Sequence, residues 1–347
     1  MKRNRKYITF LVLIIFLFGM LNGCGTNSKE DKFYDENDAI QVIDNAGRKV
    51  SFSEPVQTVA TSWGGGVDMY LYALGVGDRI AATNSKHGID KLFFDPEKMP
   101  KVGKWALDKE ALAEVSPDLF LHGGYALDYL QGANQVGVRA YGMGFNSFED
   151  IQENITNLGK IFNVEDRAEY VNQYCESIMS LVESRTKNLE TEKRPSVVIL
   201  GAKTGELASD IYDTVETMIT KAGGISCTPD EIAKKTETTI VGLETIFNWN
   251  PDYIFMQDYY CELTAEEIMQ SDTWKPLEAV KNGYVYEIPS EIDAWCKGNP
   301  SCYLGTLYMS MKMYPELYED IDIKKVAEDF YQEVYGLDLT YKEIGIK

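Results

Sequence analysis

Histidine is nearly missing from this chain: 347 residues include two, His87 and His122. So few make a general acid/base centre, or a zinc or manganese site built from histidines, hard to populate. A G-x-S-x-G elbow, an H-E-x-x-H helix and a Cys/His pair at a suggestive spacing are also absent, which removes the common signatures of hydrolases and metalloproteases. The run Gly64-Gly65-Gly66 has neither the Lys-Ser/Thr of a P-loop nor the G-x-G-x-x-G spacing. It reads as a tight strand-to-helix turn at which a ligand can approach the backbone. No catalytic residue, metal site or resident cofactor is expected.

Cysteine is scarce as well, and no Cys-x-x-Cys occurs among Cys24, Cys175, Cys227, Cys261, Cys296 and Cys302. Five remain besides Cys24, so they cannot all pair within one chain. Free thiols and one or two disulfides both fit, with Cys296 and Cys302 the candidate local bridge.

Long apolar runs are confined to one place. Lys2, Arg3, Arg5 and Lys6 precede an uncharged, mostly apolar stretch from Tyr7 to Met20, a signal-peptide layout too short for a comfortable transmembrane span. It ends in Leu21-Asn22-Gly23-Cys24, which resembles a bacterial lipobox. The resemblance implies that 1–23 is removed and that Cys24 becomes a lipidated first residue, held firmly where two or more acyl chains are attached.

Positive charge is in short supply after that cut, with 30 basic against 54 acidic residues and a net charge of −24. Such a field repels nucleic acid and anionic headgroups and favours solubility. It also disfavours a highly anionic ligand unless the binding surface is locally basic.

What is present is an α/β pattern. Residues 24–38 are polar and aperiodic, a lipidated tether. Ile40, Val42 and Ile43, the turn Asn45-Ala46-Gly47, then Val50 and Phe52 predict a hairpin. Val56 to Thr61 reads as a buried strand, followed across the glycine run by Val67, Tyr70, Leu71 and Leu74 at helical spacing. Two stretches align without a gap: Glu110 to Tyr125, with Pro117-Asp118, and Glu244 to Tyr259, with Pro251-Asp252. Each predicts a short helix, a Pro-Asp turn and a hydrophobic strand that opens into a polar, aromatic loop. Between them Ala168, Val171, Cys175, Ile178 and Val182 form one stripe of a long helix, before Pro195 and the strand Val197 to Leu200. The expected organisation is an amino-terminal α/β lobe over 39–162, a connecting helix over 163–190 and a carboxy-terminal α/β lobe over 191–347.

Several segments carry a more specific likeness. Val42 to Arg48, Leu71 to Ile80, Pro100 to Gly103, Ser116 to Asp118, Ala222 to Gly224, Trp274 to Tyr286 and Tyr314 to Leu317 resemble the helical-backbone substrate-binding proteins of ABC importers for iron siderophores, haem and cobalamin. The likeness covers roughly 40–335. It implies two Rossmann-like lobes joined by a single long backbone helix, ligand in the cleft between them, and no enzymatic activity; the rival reading is a chelatase-like enzyme, which would have no use for the lipobox. The implied partners are a metal chelate or tetrapyrrole and a permease dimer with its ATPase, for a monomer anchored extracytoplasmically through Cys24. Glu110 and Glu244 match the family's permease-docking glutamates, one per lobe; a plain helix-start acid explains them equally.

The loops expected at the cleft run over Ser62–Gly66, Asn84–Phe94, Lys104–Lys109, His122–Tyr125, Met143–Ser147, Ala202–Ser209, Gln257–Cys261 and Glu291–Cys302. They hold Trp63, Phe94, Trp105, Tyr125, Phe145, Tyr259, Tyr260 and Trp295 but no arginine. Relatives that grip tris-catecholate complexes use arginine forks, so a flat or neutral ligand gains weight: a haem, a corrinoid or a less charged ferric chelate. Lys86, Lys104, Lys203 and Lys297 are point charges or solvated chains. His87 reads as a surface histidine, whereas His122, aligned with Met256 in the other half, stands open between loop residue and iron ligand. The leading contacts are Trp63, Trp105, His122, Tyr125, Tyr259, Tyr260 and Trp295.

Overall fold

The hairpin forms at the expected turn: Gly47 takes φ +74°, which L side chains rarely adopt, and its N–H donates to Asp44 O at 2.8 Å. That closes strand β1 (Ile40–Ile43) on β2 (Lys49–Phe52), antiparallel. The computed structural model describes residues 33–62, 66–103, 106–201, 207–208, 212–229, 240–257 and 263–346.

After the hairpin, β3 (Val59–Thr61), helix α1 (Val67–Ala73), β4 (Ile80–Thr83), α2 (Lys109–Val115), β5 (Leu119–Gly123), α3 (Leu127–Gln135) and β6 (Arg139–Met143) alternate. The strands are parallel in the order β4-β3-β5-β6. Their residues are apolar on both faces, as a parallel sheet covered by helices requires. Ala60, Ala82, Phe120 and Ala140 pack on one side of the sheet, Val59, Leu119, Leu121 and Tyr141 on the other.

Helix α4 (Phe148–Phe162) starts at Ser147, whose hydroxyl accepts from Asp150 N at 3.0 Å, and stops at Asn163 in the left-handed region. Helix α5 (Glu165–Thr186) follows, 22 residues and roughly 33 Å at 1.5 Å per residue. Its buried face is Ala168, Val171, Cys175, Ile178, Met179, Val182 and Thr186, the stripe legible in sequence. Arg167 near its start donates to the carbonyls of Ala73 (2.8 Å), Glu333 (2.9 Å) and Val334 (2.6 Å). Arg185 near its end holds the carbonyl of Leu317 (3.1 Å) and the carboxylate of Asp320 (2.7 Å). The helix is therefore pinned at both ends.

The second half repeats the plan with β7 (Ser196–Leu200), α6 (Tyr212–Lys221), β9 (Ile225–Ser226), α7 (Leu243–Trp249), β11 (Tyr253–Gln257), α8 (Ala265–Gln270), α9 (Glu278–Asn282) and β12 (Val285–Ile288). A short antiparallel ladder of β8 (Leu207–Ala208) with β10 (Ile240–Val241) stands apart. The main sheet is parallel in the order β9-β7-β11-β12. Counted within each half, both sheets run second, first, third, fourth. Two lobes with one topology result, and the core of the second continues through α5 into that of the first. The chain closes with α10 (Cys302–Met313), α11 (Ile323–Phe330) and a π-helical turn, Tyr331–Tyr335.

Candidate ligand cleft

In a parallel sheet of this order the crevice opens at the carboxyl ends of the first and third strands, whose connections leave in opposite directions. Those positions are the ends of β3 and β5 in one lobe and of β7 and β11 in the other. The segments that leave the carboxyl ends of the two sheets touch each other. Tyr70, on α1 after β3, donates its hydroxyl to Gly298 O, after β12, at 2.7 Å. Ile89, after β4, donates its N–H to Ile292 O at 2.8 Å. Phe145, after β6, accepts the Thr214 hydroxyl from α6. The approach is tight, since a Cβ on Gly88 would lie 2.3 Å from Glu291 O and one on Gly66 would lie 3.1 Å from Lys297 O.

Much of that contact is made by residues 291–302, which were expected as a cleft loop. Instead Asp293 to Cys302 form a buried strap. Ser301 and Tyr331 donate to the Asp293 carboxylate, Tyr331 accepts Trp295 Nε1–H at 3.1 Å, and Asn299 Nδ2 donates to Ala294 O at 3.1 Å. Burial raises the Asp293 carboxyl above its ordinary range. Trp295, expected in the cleft wall, is thus a core residue with no exposed surface, because its N–H found a partner inside and its rings pack edge-on to Tyr308. Cys296 and Cys302, the candidate bridge, are both buried and free. Lys297 is 5 % exposed, and burial lowers its ammonium to about 8.

Asp68, in the first turn of α1, and Asp90, after β4, form a buried acid pair. Asp90 accepts from Tyr72 OH (2.7 Å), Ser85 Oγ (2.6 Å) and His87 N (2.6 Å). Asp68 accepts from Thr83 Oγ1 at 2.7 Å, and burial first, then the neighbouring Asp90, hold its carboxyl up to about 7. His87, read as a surface histidine, is buried beside this pair. Among the described residues no group of three or more His, Cys, Asp or Glu is placed to hold a metal ion.

Residues 60–292 match the sequence profile of the periplasmic binding proteins. The chain belongs to that family. It is a family of binding proteins rather than enzymes. Among the relatives of this periplasmic binding protein is the molybdate-binding protein MolA of Haemophilus influenzae, 23% identical over 54% of this chain and 52% of its own. The solved structure of MolA bound to molybdate superposes with a TM-score of 0.72 over 86% of this chain and 99% of that one, at 18% identity. The high-affinity haem uptake protein IsdE of Staphylococcus aureus is 26% identical over 55% of this chain and 66% of its own. The matches thus span less than two thirds of MolA and IsdE. YvrC of Bacillus subtilis, an uncharacterized ABC transporter substrate-binding lipoprotein, is 22% identical over 87% of this chain and 95% of its own.

Of the residues singled out in this binding protein's sequence, His122 ends up at the carboxyl end of β5, 4 % exposed. Its Nδ1 lies 3.3 Å from Gly123 O, and its ring is packed 4.4 Å from Tyr129 and 6.0 Å from Tyr125. Burial lowers its pKa, so the imidazole is neutral near pH 7. Tyr125 is 67 % exposed beside it. Glu110 and Glu244 are exposed, each the second residue of its helix. Trp63, Trp105, Tyr259, Tyr260, Lys104, Lys203, Cys24 and Cys261 lie outside the described residues. Lys86 pairs with Glu97 at 2.9 Å on the surface. The strap and the acid pair are not legible in the sequence, because a polar, glycine-containing stretch and two scattered aspartates carry no local sign of burial.

Proposed function

We propose that this protein is the extracytoplasmic substrate-binding lipoprotein of an ABC importer, which captures an iron complex of the siderophore or haem type and delivers it to the permease. The observation that carries the reading is the meeting of two sheets of identical strand order at their carboxyl ends, in a chain of the periplasmic binding protein family. IsdE, a haem uptake protein, and YvrC, an ABC transporter substrate-binding lipoprotein, support the importer reading from the side of sequence. Anchoring through Cys24 rests on the lipobox-like Leu21-Asn22-Gly23-Cys24 and is supported by the lipoprotein YvrC. Among the described residues no helix is long and apolar enough to cross a membrane.

Within this proposal Trp63, Trp105, Tyr125, Tyr259 and Tyr260 supply aromatic walls and His122 a neutral imidazole at the lip of the cleft. Glu110 and Glu244 dock one lobe each onto the permease dimer. A corrinoid is the second reading, favoured by the absence of arginine from the expected cleft loops. Absorption spectra and titration calorimetry of the purified protein with haemin, cyanocobalamin and several ferric chelates test the proposal. Saturable one-to-one binding of one of them is expected; no binding to any would sink it.

A further inference from the structure

Each lobe places a buried side chain, without a hydrogen-bond partner among the described residues, one step beyond the last rung of its central strand pair. In the first lobe β3 and β5 end their pairing at Thr61 and Leu121, and Ser62 follows, 2 % exposed, its hydroxyl unpartnered. In the second lobe β7 and β11 end theirs at Leu200 and Met256. Gln257 follows, 1 % exposed, with neither its amide nitrogen nor its amide oxygen partnered. Native folds pair nearly all such groups, and those left over call for a reason. Here both lie at the strand ends where a sheet of this order receives its ligand.

The chemistry of the two groups narrows that ligand. Gln257 offers N–H donors and a carbonyl acceptor side by side, and a serine hydroxyl serves in either role. An oxyanion such as molybdate has acceptors alone and would leave the Gln257 oxygen bare. The carboxylates of a porphyrin would do the same. A primary carboxamide presents N–H and C=O on one edge and satisfies both atoms at once, and a chelate with several secondary amides satisfies one atom with an N–H and the other with a C=O. The expected cleft loops also contain no arginine, the residue whose fork fits carboxylate or phosphate.

We propose that Gln257 and Ser62 are the polar contacts through which the two lobes recognise a ligand with amide groups on its periphery, so that the cargo is an amide-bearing metal chelate. This rests on the cleft reading above and goes further by naming the ligand class and the residues that select it. Gln257→Met keeps length and volume while removing both polar atoms, and Ser62→Ala removes the hydroxyl.

The test uses the full mature protein and four probes in titration calorimetry: cyanocobalamin and ferrioxamine B, which carry amides, and haemin and molybdate, which do not. Wild type should bind at least one amide-bearing probe more tightly than either of the others. Gln257→Met should weaken that binding about 10- to 100-fold and Ser62→Ala about 5-fold or more. The melting temperature of the unliganded Gln257→Met variant should stay level or rise, because an unpaired buried amide has gone. A fall of several degrees in that variant, or unchanged affinity in both variants, overturns the assignment. Haemin or molybdate bound tightest by wild type overturns the amide class and leaves the cleft reading standing. No heat from any of the four probes overturns both.

Discussion

Thr58 and Asp118 hold each other in both directions: the Asp118 carboxylate accepts from Thr58 N (2.8 Å) and Thr58 Oγ1 (3.0 Å), while Asp118 N donates to Thr58 Oγ1 (3.0 Å). Ser196 and Asp252 repeat the arrangement in the other lobe, at 2.8, 2.7 and 3.0 Å. Each clamp locks the entry of the third strand to the entry of the first, the pair whose far ends flank the cleft. The helices before them end alike, at Ser116 and Asn250 with φ 46° and 45°.

Breaking one clamp should therefore loosen one lobe. Asp118→Ala and Asp252→Ala are each expected to lower unfolding free energy by about 1–2 kcal/mol, since a charge-assisted acceptor is lost at an exposed site. Urea denaturation measures it. Equal stability to wild type in both variants would mean that the turns alone set the strand entries.

Asp68 gives a pH test. Its folded carboxyl sits at about 7 against an ordinary 3.8, so between those values the folded state holds a proton that the unfolded chain has released. Its contribution to stability is full below about pH 4 and is lost as pH rises through 7. Asp68→Asn keeps the acceptor for Thr83 and removes the titration. The variant should gain on wild type as pH rises from 4 to 8 in a melting series. Parallel curves across that range would show that Asp68 is ionised throughout.

Much of this architecture was legible in the chain. The alignment of Glu110–Tyr125 with Glu244–Tyr259 returns as α2-β5 and α7-β11, and the α5 stripe is buried as its spacing required. Period and turn chemistry are local, so they survive without coordinates. What was not legible is where polar segments go. In the sequence Trp295 reads as a cleft aromatic, because its neighbours Lys297, Gly298 and Asn299 look like loop. Only the distant Tyr331 and Tyr335, meeting Asp293 and Ser301, make it core. His87 was likewise hidden by Asp90, which acquires its donors from three places at once.

Lys297 moves stability in the opposite window. Burial brings its ammonium to about 8 from an ordinary 10.5, so the unfolded chain binds the extra proton between those values and stability rises with pH there. Lys297→Met removes that gain. The difference in melting temperature between variant and wild type should shift toward wild type from pH 8 to 10. A difference that stays constant would mean that Lys297 keeps its charge in the folded protein.

The docking role proposed for Glu110 and Glu244 is separable from helix capping by position. In α2 the cap is Asp108, whose carboxylate accepts Ala111 N at 2.9 Å, and Glu110 stands two residues further in, exposed. In α7 the cap is Gly242, and Glu244 occupies the same second helical position. Neither glutamate closes a helix end, so what each adds to stability is a dipole interaction of a few tenths of a kcal/mol at an exposed site. A docking charge acts elsewhere, on the complex with the permease. Glu110→Ala with Glu244→Ala should leave ligand affinity unchanged and the melting temperature within about 2 °C of wild type, yet abolish uptake or stimulation of the partner ATPase. Each single variant should retain partial activity, because one lobe would still engage its permease subunit. Normal transport by the double variant would remove the docking role. Lost transport with a large fall in melting temperature would instead make the two carboxylates parts of the fold, contrary to their positions outside both caps.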